Sequence, residues 1–391
     1  MSRLPDFDGL RFLLCIGIAV FHFSFRIPVK NEALNEFILA FSYFTDIFFI
    51  VSGLFLARRR NYLWNWPRYV AFVAKRLARI YPLHVLAFSC FALLSILTAA
   101  GFLHPLGNPS TSWLDGLTQL LLIHNWGLGS TSSYNYVSWS LSALFAMYLA
   151  FPLFDMLCRR FGSWVLVGVI VAAIGGEYLA QKLGVLSLTR IQISNVGVFR
   201  TLPSFLFGMW LARREHPVMP RAAVKSLLAV CLAVFLFCHP YNGPGEPHTL
   251  EGPLRLAFVY TSVYVLYLAS VQGIYTPLQW RVLAKLSRYS FGIFILHPLV
   301  GMMFFRMAPE RWSETTAGAV LTICGAAVAS VLTAAAAYHL FENPLHRRLV
   351  KSIDAGSPDT SAALPKSRQA ACLSSDSQLS APQTAAGKSC P

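Results

Sequence analysis

The sequence is poor in charge, and poorest in acidic charge. Of 391 residues only 17 are Asp or Glu, and 13% are charged, about half the ~25% of an ordinary soluble domain. Such a chain cannot clothe two or three soluble domains in polar surface. Disorder is excluded from the other side, because 55% of residues are hydrophobic and 14% aromatic, far too apolar for an unfolded chain. Cysteine is present but unpatterned. The eight cysteines form no CxxC pair and no zinc-like spacing, so neither a disulfide framework nor a metal site is expected. Lys and Arg are absent from Gly101 to Ser138. No internal repeat is visible.

What fills the chain is a series of apolar runs. About 20 such residues in a helix cross a hydrocarbon core of ~30 Å. Ten segments fit, at 10–28, 37–57, 82–101, 139–157, 163–180, 199–212, 225–240, 255–272, 289–306 and 316–340. The weakest, 199–212, is short and broken by Pro203 and Gly208. The expected fold class is all-α, a polytopic integral membrane protein with about ten transmembrane helices. The run at 114–124 is apolar but too short to span, and reads as interfacial or re-entrant. No small-x-small cleavage site follows Phe25, so the first run reads as a retained helix rather than a signal peptide. Residues 1–348 form the expected membrane domain. Residues 349–391, rich in Ser, Ala, Pro and Gln, are expected to be a disordered cytoplasmic tail.

The net charge of +15 is explained by topology. With the N-terminus inside, 24 of the 32 Lys and Arg residues fall on the inner side and eight on the outer, as the positive-inside rule requires. Both termini are therefore expected in the cytoplasm. The basic excess gives no support to a nucleic-acid partner.

Ionisable residues inside spans are costly, and so are functional candidates. The separation of Arg11 from His22 is close to three helical turns. They share one helix face, ~16 Å apart along its axis. Asp46, on the returning second span, reaches a similar depth to His22. The spacing predicts that the two meet, a carboxylate fixing an imidazole for proton transfer. A buried pair that only joins helices would have the same spacing. Arg76 and Arg79 are i, i+3 neighbours at the inner surface, and two guanidinium groups there suit phosphate. Any inner loop is basic, so this reading has a bland rival. His297, within the ninth span, has the pattern of a packed hydrogen-bonding residue. Glu342, closing the tenth span, has that of a structural ion pair. Glu177 either lines a path from outside or faces water.

Several of these segments, taken in order, resemble the membrane acyltransferase-3 family of bacterial O-acyltransferases. Asp8-Gly9-Leu10-Arg11 with His22 is similar to the family's Arg-x10-His opening. Asp46 to Phe55, including Ser52 and Gly53, is similar to its "FFxxSGFL" segment. Arg76 to Pro82 is similar to "RxxRIYP". Trp139-Ser140-Leu141-Ser142 with Tyr148 and Pro152 is similar to "WSLSxExxxxYxxxP", Tyr289 to Pro298 to "SYxxYLxHP", and Glu342-Asn343-Pro344 to "ExP". One departure stands out: Leu144 occupies the place of the usual Glu after "WSLS".

The resemblance implies transfer of an acyl group, acetyl above all, from acyl-coenzyme A to a hydroxyl of a carbohydrate or glycolipid. It places the protein in the bacterial cytoplasmic membrane, with no permanently bound cofactor. It assigns His22 as the catalytic residue, a general base on the acceptor hydroxyl or a transient acyl carrier, with Arg11 to help hold the donor, Arg76 and Arg79 to bind its phosphates, and Glu342 to support the inner part of the site. The rival reading is a multi-span transporter or flippase for a glycolipid or anion, which would also use buried charge. Matching halves, which would favour it, are not seen.

Overall fold

The computed structural model describes residues 4–58, 64–103, 112–128, 133–183, 197–237, 251–307, 312 and 314–356. Among them the structure is helical, with no strand. Each of the ten predicted segments overlaps a helix. In order these are α1 (Pro5–Ser24), then α2 (Glu32–Leu39) leading through a short turn into α3 (Phe44–Ala57), α4 (Trp66–Ala99), the short α5 (Trp113–Leu120) and α6 (Ser138–Phe161). There follow α7 (Trp164–Lys182), α8 (Val198–Arg213), α9 (Arg221–Phe237), α10 (Glu251–Val271), α11 (Arg281–Leu286), α12 (Ser290–Met307), α13 (Thr316–Ala337) and α14 (Asn343–Ala355).

Seven continuous helical stretches of the described residues are long and apolar enough to cross a membrane. Three of the ten predicted spans fall outside that set. The apolar part of α7 runs only from Trp164 to Ala180, and α8 and α9 have 16 and 17 residues. The segment at 114–124 holds α5, which is too short to span and buries Gln119, followed by a turn that buries His124. The segment expected as tail from residue 349 begins in helix, since α14 continues through Ala355. From residue 357 the expected tail lies outside the described residues.

Helix α1 is the centre of the bundle. It begins with Pro at its first turn and Asp6 and Asp8 beside it, a residue preset for helix followed by charges that favour the N-terminal dipole. Asp6 is buried and accepts hydrogen bonds from the Thr276 hydroxyl and the Gln279 amide, which fixes where the helix starts. Most of α1 is buried, with Leu13 the exposed exception. Phe7 packs with Phe49, Phe151 and Phe205 of α3, α6 and α8. Cys15 and Ile18 pack with Leu83 of α4 and Ile295 of α12. Ala19 and Phe23 pack with Ile38 of α2 and Ile323 of α13. One helix thus joins three packed clusters.

Lipid is as apolar as leucine, so helices in a membrane are held by close packing and hydrogen bonds more than by apolar burial. The α3–α8 pair follows that rule. A Cβ at Gly53 would overlap the Phe205 carbonyl oxygen, and one at Gly208 would overlap the Ile50 carbonyl oxygen. Glycine at both positions lets the two backbones touch. Gly53→Val and Gly208→Val should each lower stability by about 1–3 kcal/mol through overpacking, read as a lower melting midpoint in detergent. Gly168→Ala, where an added Cβ meets nothing within 4 Å, should leave the midpoint unchanged. A wild-type midpoint for both valine variants would contradict the packing.

Candidate active site

The predicted residues gather at two ends of α1. At its start, Arg11 shares a polar cluster with Arg76 and Arg79 of α4, Tyr148 of α6 and Ser52 of α3. The Tyr148 hydroxyl lies close to Ser52 and within electrostatic reach of all three arginines. Ser52 donates its own proton to the Phe48 carbonyl at 2.9 Å. The Arg76 guanidinium sits 5.4 Å from the Phe72 ring centroid and 5.8 Å from that of Tyr148. Its Nε is buried with no hydrogen-bond partner among the described residues.

Glu342 is the carboxylate of this cluster, 2.7 Å from Arg79 and 1% exposed. It is delivered by a local irregularity. The turn Tyr338–Glu342 is a π-helical insertion between α13 and α14, the kind of bulge that re-aims a side chain. Pro344 then starts α14. His346 donates to the Ala78 carbonyl at 3.2 Å and Lys75 pairs with Asp354 at 2.5 Å, which clamps α14 along α4. Arg79 alone pairs with Glu342, so the station with Arg11 and Arg76 beside it keeps a positive excess.

Near the other end of α1 stands His22, half-buried, with its Nδ1 2.9 Å from Nε2 of His297 on α12. His297 is fully buried, and its Nδ1 lies 2.8 Å from the Phe294 carbonyl oxygen and 3.2 Å from that of Ile293. The edge of the Tyr136 ring closes a second side of His22, with centroids 5.1 Å apart. Tyr136 itself is exposed. Arg11 and His22 therefore mark two polar stations three turns apart on the same helix.

Asp46 is not the partner of His22. Arg200 of α8 takes both its oxygens, Nε to Oδ1 at 3.2 Å and Nη2 to Oδ2 at 2.7 Å. The reason is physical. A buried carboxylate is best compensated by a planar guanidinium that forms two charge-assisted bonds at once, and α8 lies directly against α3. Arg200 also stacks over Trp139, 5.5 Å from its ring centroid, and Trp139 meets Phe49 edge-on. Gly197 leaves room for that indole. Ser140 donates to the Val137 carbonyl at 3.2 Å and closes the first turn of α6. Trp139, Gly53 and Asp46 thus hold helices together, while Ser140 bonds within its own helix. Leu144 is buried in the apolar cluster with Met147 and Phe151. From sequence Arg200 counts only as an outer basic residue, and nothing in a single sequence links it to so distant a position as Asp46.

The comparisons with known proteins give the family. A family model described as an acyltransferase domain, Acyl_transf_3, matches residues 4–338. The chain belongs to that family. The enzyme is also 27% identical over 385 residues to the acyltransferase MdmB of Streptomyces mycarofaciens, with 89% of this chain and 92% of that protein covered. No solved structure matches it. The matched span begins with α1 and ends where the turn that carries Glu342 starts, so it takes in the three arginines and both histidines. This is a membrane acyltransferase.

Breaking one side of a buried ion pair strands the other charge, at a cost of roughly 3–5 kcal/mol. Asp46→Leu or Arg200→Leu alone should therefore lower the melting midpoint strongly, and the double Leu variant should recover most of the loss. Additive losses in the double variant would show that the two residues act separately.

Proposed function

We propose that this acyltransferase moves an acetyl group from acetyl-coenzyme A in the cytoplasm to a hydroxyl of a carbohydrate or glycolipid. The observation that carries the reading is the pairing of two stations on α1. The cationic cluster of Arg11, Arg76 and Arg79 against the single Glu342 suits a polyanionic donor. His22, three turns along the same face, suits a general base on the acceptor hydroxyl.

The sidedness follows from charge. Lys75 lies on α4 beside the arginine station, and Arg347, Arg348 and Lys351 lie on α14, which is clamped along α4; basic segments favour the cytoplasmic face. The phosphates of coenzyme A would be held there, in the bacterial cytoplasmic membrane, with the pantetheine arm reaching along α1. Buried charge of this kind is tolerated where it lines a protein cavity rather than lipid. The ten helical segments support about ten crossings, with α8 buried against its neighbours, and both termini in the cytoplasm.

Chemistry at His22 is direct. Its free nitrogen takes the hydroxyl proton as the oxygen attacks the thioester carbonyl. The carbon–sulfur bond breaks, and the leaving thiolate takes that proton. The arginines act on binding and the histidine on turnover, so the two sets of variants should separate. Arg76→Ala and Arg79→Ala should each raise KM for labelled acetyl-coenzyme A about tenfold or more, as expected when a charge-assisted bond of ~1.5–3 kcal/mol is lost. His22→Ala should reach the membrane at normal levels and lower kcat by roughly 10²–10⁴-fold. Full transfer by His22→Ala membranes would contradict the proposal.

A further inference from the structure

His297 stands outside the roles assigned above, although its geometry constrains His22 closely. A carbonyl oxygen only accepts, so the short contact to the Phe294 carbonyl requires a proton on His297 Nδ1. That carbonyl is available for a specific reason. In a helix it would accept from the backbone N–H four residues on, and residue 298 is proline, which has none. The His-Pro dipeptide thus supplies both a donor and the acceptor that it needs. In neutral His297 the remaining Nε2 carries a lone pair.

The 2.9 Å contact between His297 Nε2 and His22 Nδ1 needs one hydrogen, and only His22 can provide it. The ring planes lie within 9° of parallel with centroids 5.1 Å apart. Centroids so much farther apart than the nitrogens mean that the rings meet edge to edge, as an in-plane hydrogen bond demands. His22 is therefore held as the Nδ1–H tautomer, with its lone pair on Nε2. Among the described residues Nε2 of His22 has no hydrogen-bond partner, and the residue is only half-buried.

The geometry points to His297 as the positioning residue that makes Nε2 of His22 the base, and that keeps His22 oriented in both of its charge states. The bond from Nδ1–H to His297 is the same whether Nε2 is empty or has gained the acceptor's proton. When His22 becomes an imidazolium, the neutral His297 presents a lone pair to it. The chain of bonds ends on backbone carbonyls of α12, so no further side chain has to move. This rests on the acyl-transfer reading, since it assigns His22 a proton to take.

Two measurements test it on the full chain. The first is the ¹⁵N spectrum of histidine-labelled protein in detergent near neutral pH, with His22→Ala used to assign the signals. The expected result is a proton-bearing Nδ1 and a bare Nε2 at His22, with that tautomer lost in His297→Leu. A protonated Nε2 in the wild type would overturn the inference without any reference to activity. The second is transfer from labelled acetyl-coenzyme A in native membranes. His297→Leu should lower kcat by roughly 10²–10⁴-fold with KM for the donor unchanged, because the base is misplaced and the arginines are not. His297→Gln, whose amide oxygen can accept from Nδ1–H and whose amide N–H can reach the Phe294 carbonyl, should restore kcat to within about tenfold of wild type. His297→Gln no better than His297→Leu would overturn the inference. His22→Ala run alongside separates the failures. Retained transfer there overturns the role of His22 and this inference with it. Lost transfer there, with wild-type turnover in both His297 variants, overturns this inference alone.

Discussion

A charge buried among apolar side chains is tolerated only if a partner answers it, and that constraint sorts the ionisable residues of this bundle. Asp46 is answered on both oxygens by Arg200. Asp155, fully buried, is answered by Arg213, by Arg159 at 3.0 Å and by the Trp64 indole at 2.7 Å. Asp6 is answered by neutral donors from the turn before α11. These groups tie helices together, and their chemistry is spent in doing so. The candidate active site draws on a second set: Arg11, Arg76 and Arg79 with Glu342, and the two histidines.

The architecture fixes the two stations along one helix. Helix α1 joins all three packed clusters, so its register is fixed along its whole length. Arg11 and His22 cannot shift relative to one another without disturbing Phe7, Ile18 or Phe23, each buried against different helices. The tight α3–α8 contact at Gly53 and Gly208 braces the side on which Asp46 meets Arg200. The π-helical turn at Tyr338–Glu342 gives up regular hydrogen bonding to bring a carboxylate to Arg79. Strict packing and one local irregularity thus serve the same site.

Much of this was legible in the sequence, for identifiable reasons. The positions of the helices followed from apolar runs. The shared face of Arg11 and His22 followed from a separation close to three whole turns of one helix, and the pairing of Arg76 and Arg79 from i, i+3 spacing. Each of these is local. What was not legible is long-range. Depth arithmetic brought Asp46 level with His22, but depth says nothing of which neighbour lies alongside, and α8 supplied Arg200. The weak apolar character of α8, with Pro203 and Gly208, reflects its place against other helices, where lipid-facing hydropathy is not required. His297 had a readable signal in the proline that follows it, because that proline frees a carbonyl for its ring. Its meeting with His22, which lies near the other end of the chain, required the fold.

The central claim is that the arginine station takes the donor from the cytoplasmic side while transfer occurs at the histidine station. It is tested most directly with native membrane vesicles of defined orientation, given labelled acetyl-coenzyme A on their outside. Inside-out vesicles, which expose the arginine station, should incorporate label into their glycans or glycolipids. Right-side-out vesicles from the same cells should incorporate almost none until they are permeabilised. Equal incorporation in both orientations, or incorporation in right-side-out vesicles alone, would contradict the account.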